Sequence, residues 1–250
     1  MRTVVVTGAG RNIGLAIAGG FAAAGDQVVL NARSAGAVEQ AAAQLVEGGA
    51  RAVGITGDVS RQEDVRRLVA GAEDAFGPVD VLVHCAAVRV HRDFLDMSSE
   101  EWRMPFQVGL DAAFHCAQAV LPHMVEQGWG RIIHLAGVTG QTGAARRASV
   151  VATKSGLIGF TRALAHEFAG TGVTVNAISP GMIDTERGDW TSLGDQSATT
   201  EHYNRRSQQI PARRMGRRAE VTAACLYLAS DDAGFVTGHT LNVNGGMFMG

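Results

Sequence analysis

Segments with the pattern of buried strands alternate with helical segments along all 250 residues of the chain. Short β-branched or apolar runs end at glycine or another small residue, and a longer helical stretch follows each of them. Strands joined through helices pair in parallel, so the alternation predicts an α/β fold with a doubly wound parallel sheet of seven strands and helices on both faces. The seven strand segments are residues 3–7, 27–32, 51–59, 79–87, 131–137, 173–181 and 239–246.

The composition argues against several classes of function. The formal net charge is −2 and no basic run occurs, so binding to nucleic acid or to an anionic membrane is not indicated. No apolar run approaches the ~18 residues of a membrane-spanning helix, and we expect no signal peptide. The three cysteines lie apart in apolar surroundings, which indicates reduced thiols and a cytoplasmic protein. The eight histidines show no HxxxH or HxH spacing, so no metal site is expected.

Two features modify the regular alternation. Ser98 and Glu101 form a capping-box pattern that opens a long helix, and Pro105 is expected to kink this helix or to split off its first turn. Residues 182–218 are polar and irregular, and they form the one long insertion in the pattern. Loops of this length often close over a substrate, so we predict one domain over residues 1–250 with a substrate lid at about 182–218.

The glycine-rich turn TGAGRNIG, residues 7–14, lies between the first strand and the first helix. Glycine allows the backbone to approach a phosphate closely, and the N-terminus of the helix adds amide donors and the positive end of its dipole. Such a turn is weak evidence alone, but its place directly after the first strand favours a dinucleotide site. The predicted contacts in the turn are Gly8, Arg11, Asn12, Ile13 and Gly14.

Together with the turn, three further motifs resemble the short-chain dehydrogenase/reductase family. They are GDV at residues 57–59, SPGMIDT at 179–185 and LNVNGG at 241–246. The turn resembles the family's TGxxxGxG with Asn12 in place of the middle glycine, and asparagine tolerates positive φ better than most residues. The resemblance covers nearly the whole chain. It implies a Rossmann-like fold, a nicotinamide dinucleotide cofactor and a homotetramer built through the helices around residues 109–124 and 149–169.

The resemblance also implies cofactor contacts outside the turn. In the family, the aspartate of GDV meets the adenine, the SPGMIDT stretch passes the nicotinamide, and an NNAG motif lies under the nicotinamide. The sequence HCAA, residues 84–87, stands at the place of NNAG. The further cofactor-binding residues implied in this way are Asp58, Val59, Cys85, Ala86, Ala87, Lys154, Pro180, Gly181, Ile183 and Thr185.

The end of the second strand indicates which cofactor is used. A carboxylate there would accept hydrogen bonds from the ribose hydroxyls of NAD, but by alignment with the family this position is Ala32. Arg33 and Ser34 follow it, and Arg33 could pair with the 2′-phosphate of NADP, with help from Arg11. The alternative is that both arginines are simply solvated. The missing carboxylate and the added cation favour NADP over NAD.

The catalytic positions of the family are where the resemblance breaks down. The family uses a tyrosine that donates a proton to the carbonyl oxygen, together with a serine, a lysine and often an asparagine. Lys154 matches the lysine, but Val150, Gly137 and Gly109 stand at the tyrosine, serine and asparagine positions. A general acid contributes ~10²–10⁴-fold and one oxyanion donor about 10²–10³-fold. We therefore expect little reduction of ordinary ketones, and a wider, more apolar pocket suited to a bulky or flat substrate.

Three hypotheses for the function remain open. The first is an NADP-dependent oxidoreductase acting on a small organic substrate that does not need the tyrosine, such as an imine or a molecule with its own acidic hydroxyl. In that case His84 and Tyr203 are weak candidates for a replacement donor. The second is a redox-neutral lyase, isomerase or cyclase that uses the same pocket. The third is a non-catalytic subunit that pairs with an active relative in a heteromer.

Overall fold

The computed structural model describes residues 1–185 and 207–250 and contains a seven-stranded parallel sheet. The strands are β1 (Thr3–Thr7), β2 (Gln27–Ala32), β3 (Ala52–Thr56), β4 (Val81–His84), β5 (Gly130–Leu135), β6 (Val173–Pro180) and β7 (Thr240–Val243). Their order across the sheet is β3-β2-β1-β4-β5-β6-β7, and every neighbouring pair is parallel. The strand order reverses between β1 and β4, where a crevice opens at the carboxyl ends of the strands. The predicted Rossmann-like α/β fold is confirmed.

Helices cover both faces of the sheet. They are α1 (Asn12–Ala23), α2 (Ala35–Glu47), α3 (Gln62–Phe76), α4 (Ser99–Phe106), α5 (Ala112–Glu126), α6 (Thr139–Thr142), α7 (Ala148–Phe168) and α8 (Arg218–Leu228). The single-turn helix α6 was not predicted from the sequence. Four residues are too few to show a helical period, so only the structure reveals that this connection is helical.

Alternate residues of the strands pack into two cores, one on each face. Val4 and Val6 of β1 point to the face covered by α1, α2 and α8, where the largest buried side chain is that of Phe21. Val5 points to the other face, where α3, α5 and α7 supply side chains such as Met124. This alternation follows from the two-residue period of a strand. Each fully buried large side chain contributes about 1.5–3 kcal/mol of transfer free energy.

The long helix predicted from the capping pattern is present, but its interruption differs from the expected one. The Ser98 Oγ accepts a hydrogen bond from the Glu101 amide at 3.1 Å, and the Ser98 amide donates to Glu101 Oε2 at 2.9 Å. The capping box is therefore confirmed. The chain stays helical through Pro105, and a π-helical turn at Gln107–Asp111 follows α4 directly. Proline lacks the amide hydrogen that would bond one turn back, which weakens the helix here without splitting off its first turn.

The described part of the chain holds no candidate membrane span, no candidate metal cluster and no disulfide bond. Within residues 1–185 and 207–250, no helix combines the length and the apolar character that crossing a membrane requires. The same residues hold no group of three or more His, Cys, Asp or Glu side chains that could bind a metal ion. Cys116 and Cys225 are buried free thiols, and Cys85 is a half-buried one.

Two histidines are buried next to each other in the centre of the sheet. His84 ends β4 and is paired in register with His134 of β5, and the two ring centroids are 6.4 Å apart. Burial and the charge of Lys154 lower the pKa of His84 to about 4. Burial, together with His84 and Lys154, lowers the pKa of His134 to about 3. Both rings are therefore neutral at pH 7 in the folded protein.

The two histidines predict that acid destabilises the fold over a defined pH range. Unfolding returns each ring to its ordinary pKa of about 6.5, so below that pH the unfolded chain binds more protons than the folded one. The free energy of unfolding should fall as the pH decreases from about 6.5 to about 4, by up to about 1.4 kcal/mol per pH unit for each histidine. Urea unfolding at intervals of half a pH unit measures this slope.

A matched pair of variants assigns the slope to the buried rings. His134→Gln should reduce the slope, whereas His166→Asn, which removes an exposed histidine of α7, should leave it unchanged. A free energy of unfolding that is constant between pH 6.5 and pH 4 would contradict the burial of both rings.

Candidate active site

The glycine-rich turn after β1 packs directly against the chain that leaves β4. Gly8 has a φ of +67°, which glycine adopts without strain, and a Cβ at this position would lie 2.8 Å from the Cα of Ala86. A Cβ on Gly14 would overlap the carbonyl group of Gly8. The turn therefore has room for a ligand only on its open side, where backbone amides and the N-terminus of α1 are available.

Asn12, at the place of the family's middle glycine, begins α1 with a φ of +54°. The left-handed backbone that the turn requires is thus present, and asparagine is among the residues that adopt it most readily. Arg11 precedes the helix in an extended conformation and is exposed. The substitution of glycine by asparagine leaves the shape of the turn intact.

The hydroxyl of Thr7 links the turn to the end of β4. Its Oγ1 accepts hydrogen bonds from the amides of Cys85, at 3.1 Å, and Ala86, at 3.2 Å, and it lies 3.0 Å from His84 Nδ1. The Nε2 of His84 lies 3.0 Å from the carbonyl oxygen of Gly109 in the π-helical turn. A carbonyl only accepts, so Nε2 carries the proton and Nδ1 accepts from the threonine hydroxyl.

This network gives His84 a structural position rather than a catalytic one. The side chain is 1% exposed, and both of its ring nitrogens are engaged inside the protein. It holds the π-helical turn against β1 and β4. His84 also does not belong to the residues that line the adjoining cavity. The geometry therefore does not support the hypothesis that His84 replaces the tyrosine as proton donor.

A cavity of about 270 Å³ opens at the carboxyl ends of β4, β5 and β6. This is where ligands bind in open α/β sheets, because the strand order reverses nearby. Its described lining residues are Ile13, Cys85, Ala87, Val88, Arg89, Leu135, Ala136, Gly137, Val138, Thr139, Arg147, Val150, Lys154, Pro180, Gly181, Met182, Ile183, Thr185 and Met247.

Lys154 and Val150 line this cavity from one face of α7. They are four residues apart, so they lie one turn apart on the same side of the helix. The Nζ of Lys154 donates a hydrogen bond to the carbonyl oxygen of Leu135, at 2.5 Å. Burial lowers the pKa of Lys154 to about 8; Cys85 opposes this shift and the charge of Arg89 adds to it. The ammonium group therefore carries a proton at pH 7 but is close to its titration range.

The other two positions without a side-chain donor differ from each other. Gly137 lines the cavity with a φ of +110°, and the nearest atom to a Cβ placed there, the carbonyl oxygen of Pro180, is 4.0 Å away. Space is thus available at Gly137, but its backbone strains any other residue. A Cβ on Gly109 would lie 2.5 Å from Cγ2 of Thr153. The Thr153 side chain of α7 therefore fills the space beside Gly109. The expectation that Gly109 widens the pocket is wrong.

The adenosine end of the predicted cofactor site lies at the ends of β2 and β3. Asn31 Nδ2 donates to the carbonyl oxygen of Gly57 at 3.2 Å and so ties the two strand ends together. Arg33 is exposed there and follows the half-buried Ala32. Burial raises the pKa of Asp58, but hydrogen bonds from Ser60 and the charges of Arg33 and Arg61 outweigh it and hold the pKa below its ordinary value. The charge of Arg33 thus reaches the group assigned to the adenine.

Comparisons with known proteins agree with this architecture. The matching family model is described as enoyl-(acyl carrier protein) reductase and covers residues 8–248. Nodulation protein G of Azospirillum brasilense is 40% identical over 98% of this chain and 98% of its own length. The chain belongs to the short-chain dehydrogenase/reductase family. Acetoacetyl-CoA reductase of Allochromatium vinosum is a further relative, 38% identical over 99% of each chain.

A solved structure has the same fold over nearly its whole length. The crystal structure of actinorhodin polyketide ketoreductase with NADPH matches with a TM-score of 0.93 and 33% identity, over 98% of this chain and 97% of that one. The described strands and helices of this chain are therefore those of an oxidoreductase family whose members include a ketoreductase.

The predicted cofactor residues of this short-chain dehydrogenase/reductase fall into three groups. Those that line the cavity are Ile13, Cys85, Ala87, Lys154, Pro180, Gly181, Ile183 and Thr185. Gly8, Asn12, Gly14 and Ala86 form the turn and the chain packed against it, with Arg11 exposed beside them. Arg33, Ser34, Asp58 and Val59 lie at the ends of β2 and β3. Residues 186–206 of the predicted lid, which include Tyr203, lie outside the described residues.

The structure adds polar lining residues that the sequence did not single out. Arg89 follows β4, Thr139 begins α6, and Arg147 directly precedes α7. A signal was available, since each lies within five residues after β4 or β5 or at the start of α7, and ligands collect at the carboxyl ends of strands. Nothing in the residue types separated them from other surface residues.

The packing of Gly109 against α7 leads to a prediction about stability. Gly109→Ala should lower the free energy of unfolding by about 1–3 kcal/mol, the range for overpacking, because the new Cβ overlaps Cγ2 of Thr153. Thr153→Ser removes that methyl group and keeps the hydroxyl that donates to the Ser149 carbonyl oxygen. The double variant should therefore recover much of the loss, as urea unfolding of all four proteins would measure.

Gly159→Ala, which changes a glycine of α7, is the matched control. Nothing lies within 4 Å of a Cβ there, so this change should be neutral or mildly stabilising. If Gly109→Ala behaves like Gly159→Ala, the close contact between the π-helical turn and α7 does not exist.

Proposed function

We propose that this protein is an NADP-dependent oxidoreductase acting on a small organic substrate whose reduction does not depend on a tyrosine. The observation that carries the proposal is the composition of the cavity wall. Among the described residues that line it, there is no tyrosine and no serine, and Lys154 is present. The family position four residues before Lys154 is taken by Val150, whose side chain has no proton to give.

The proposed cofactor fits the residues at the end of β1. A Cβ at Gly8 or Gly14 would overlap the protein's own backbone, so the two glycines allow the tight turn whose amides and helix N-terminus could bind a phosphate. Ala32 stands where an acidic residue would favour NAD, Arg33 follows it, and the related ketoreductase was solved with NADPH. When bound, NADPH supplies a hydride. This chain's residues would hold the phosphates at the turn, pair Arg33 with the 2′-phosphate and hold the nicotinamide end along Cys85 and Ala87.

Besides the hydroxyls of Thr139 and Thr185 and the guanidinium groups of Arg89 and Arg147, the described cavity wall contains an ammonium group and a thiol that could donate a proton. The Lys154 ammonium keeps its proton at pH 7, since its pKa is about 8. The Cys85 thiol keeps its proton too, because burial raises its pKa to about 11 against the opposing charges of Lys154 and Arg89. The Cys85 thiol is too weak an acid for this role, and the Lys154 ammonium is engaged in a hydrogen bond to the carbonyl oxygen of Leu135. We therefore propose a substrate that needs little help, either an imine or a molecule with its own acidic hydroxyl.

A second candidate function is ordinary carbonyl reduction. It is favoured by the relative that is named acetoacetyl-CoA reductase and by the related ketoreductase. In this case a donor outside the family's usual position, such as Lys154 or Tyr203, would supply the proton. A redox-neutral reaction and a non-catalytic subunit stay as alternatives to both.

We also propose one cytoplasmic domain over residues 1–250, with a lid at 182–218, that forms a homotetramer or joins an active relative.

The cofactor proposal predicts a preference for NADPH that depends on Arg33. NADPH should bind at least about tenfold more tightly than NADH, since one charge-assisted contact is worth about 1.5–3 kcal/mol. Arg33→Asp should reverse this order. Arg66→Asp makes the same charge change at an exposed position of α3 and should not reverse it. Calorimetric titration of each protein with both cofactors tests this. Equal affinities in the wild type, or no binding of either cofactor, would rule the proposal out.

The mechanistic proposal predicts slow reduction of neutral ketones and a gain from Val150→Tyr. The wild type should fall well below the usual ~1–10³ s⁻¹ with NADPH and simple ketones. Val150→Tyr should raise the rate at least about tenfold over Val150→Phe, which adds the same ring without the hydroxyl, because a general acid contributes ~10²–10⁴-fold when well placed. Steady-state rates and their pH profiles separate the two variants.

The structure limits which further changes would help. Gly137→Ser should add little, because a φ of +110° strains serine, and Gly109→Asn would overlap Thr153. If the wild type reduces ketones at an ordinary rate, ordinary carbonyl reduction is the function and Tyr203→Phe is the next variant. If no class of acceptor oxidises bound NADPH, the redox-neutral or subunit alternative replaces the proposal.

A further inference from the structure

Lys154 is the only lysine among the 250 residues of the chain, whose other basic side chains are arginines and histidines. A guanidinium keeps its proton throughout the usual pH range, whereas a buried lysine amine can lose its proton near neutrality and then becomes a nucleophile. Lys154 belongs to α7, is half-buried, and lines the cavity at the carboxyl ends of β4, β5 and β6. The single lysine amine of the protein therefore lies in the candidate active site.

The amine of Lys154 has one hydrogen-bond partner and no stabilising carboxylate in the described structure. Its Nζ donates to the carbonyl oxygen of Leu135 at 2.5 Å. Burial is the main cause that lowers its pKa to about 8, and no aspartate or glutamate of the described residues acts to raise that pKa. A sizeable fraction of the molecules therefore carries the unprotonated amine at pH 7.5, where a lysine with an ordinary pKa of about 10.4 is almost fully protonated.

The cavity wall leaves room for a small molecule beside this amine. Val150 lies one turn before Lys154 on the same side of α7 and lines the cavity with an apolar side chain, so no tyrosine hydroxyl bonds to Nζ from that position. Gly137 lines the same cavity without a side chain, and the nearest atom to a Cβ placed there is 4.0 Å away. The cavity measures about 270 Å³. Space and an apolar surrounding are thus both available next to the amine.

We infer that Lys154 is a nucleophile that condenses with small ketones and aldehydes in the cavity, forming an iminium, and that it gives the protein a redox-neutral activity at the carbon next to the carbonyl group. A lysine that is desolvated in an apolar pocket is activated for this reaction. The inference goes beyond the proposed function, because the condensation needs neither a cofactor nor a hydride.

The condensation balances without an oxidant or a reductant. The unprotonated Nζ attacks the carbonyl carbon, and the carbonyl oxygen receives the π electrons and a proton. The hydroxyl of this carbinolamine takes a second proton and leaves as water, while the nitrogen keeps one proton and forms the double bond to carbon. One ammonium and one carbonyl group thus give one iminium and one water, and the protons that move pass through the solvent.

The iminium changes the chemistry of the neighbouring carbon. Water removes a proton from this carbon, the C–H electron pair forms a C=C bond, and the electrons of the C=N bond move to the nitrogen. Addition of a solvent proton to the resulting enamine, followed by hydrolysis, releases the ketone and the free lysine. In heavy water, the released ketone therefore carries deuterium next to its carbonyl group.

Reductive trapping tests the capture step at a single residue. The variant Arg66→Lys supplies a reference lysine at an exposed position of α3, in a protein whose native Lys154 is unchanged. We treat this variant with butanone and sodium cyanoborohydride at pH 7.5 and follow both lysines by peptide mass spectrometry. Lys154 should be alkylated at least about tenfold faster than the introduced lysine, because the latter is almost fully protonated. In urea that unfolds the chain, the two rates should become equal.

Exchange of hydrogen for deuterium tests the activity. Proton NMR follows the loss of the hydrogens next to the carbonyl group of butanone in heavy water, in the presence of each protein. The wild type should accelerate the exchange at least about tenfold over Lys154→Met, which removes the amine and keeps a side chain of similar length. Arg66→Met is the matched control, since it makes a similar replacement at the exposed position, and it should exchange like the wild type.

Each outcome decides a stated part of the inference. If Lys154 is alkylated no faster than the introduced lysine, or if the difference persists in urea, the cavity does not activate the amine and the inference is wrong. If trapping succeeds but exchange is the same with Lys154→Met, the proposed activity is wrong. Should Lys154→Met fail to fold, the comparison of the two lysines within Arg66→Lys still decides the capture. None of these measurements contains NADPH, so their failure leaves the proposed function standing.

Discussion

The arrangement of the site depends on one buried hydroxyl, that of Thr7. It accepts hydrogen bonds from the amides of Cys85 and Ala86 and bonds to His84, so it fixes the chain after β4 against the end of β1. Thr7 is also the first residue of the glycine turn, and Cys85 is among the residues that line the cavity. Through His84, the same network reaches the π-helical turn at Gly109. Cofactor turn, cavity wall and irregular helix are thus positioned by a single set of buried polar contacts.

The chemistry that the site can perform is set by what surrounds Lys154. Burial makes its ammonium group a stronger acid than that of a solvated lysine, yet leaves it charged at neutral pH. Val150, one turn earlier, contributes an apolar side chain to the cavity wall, and Gly137 contributes no side chain. Hydride transfer to a neutral ketone creates an alkoxide that needs a proton or strong donors at once. The described wall has no tyrosine and no serine to supply them. In our proposal, the reaction is therefore limited by which substrates can accept a hydride without such donors, and not by the cofactor.

The sequence by itself determined the parts of this protein that depend on local periodicity. Seven strands, the long helices, the capping box at Ser98 and the glycine turn all follow from patterns a few residues long, and the pair Val150 and Lys154 shares a face because both lie on one helix. Only the tertiary structure decided that Thr153 fills the space at Gly109 and that Arg89 lies near Lys154. These contacts join elements far apart in the chain, and their distances depend on how whole helices and loops pack, which no local pattern encodes.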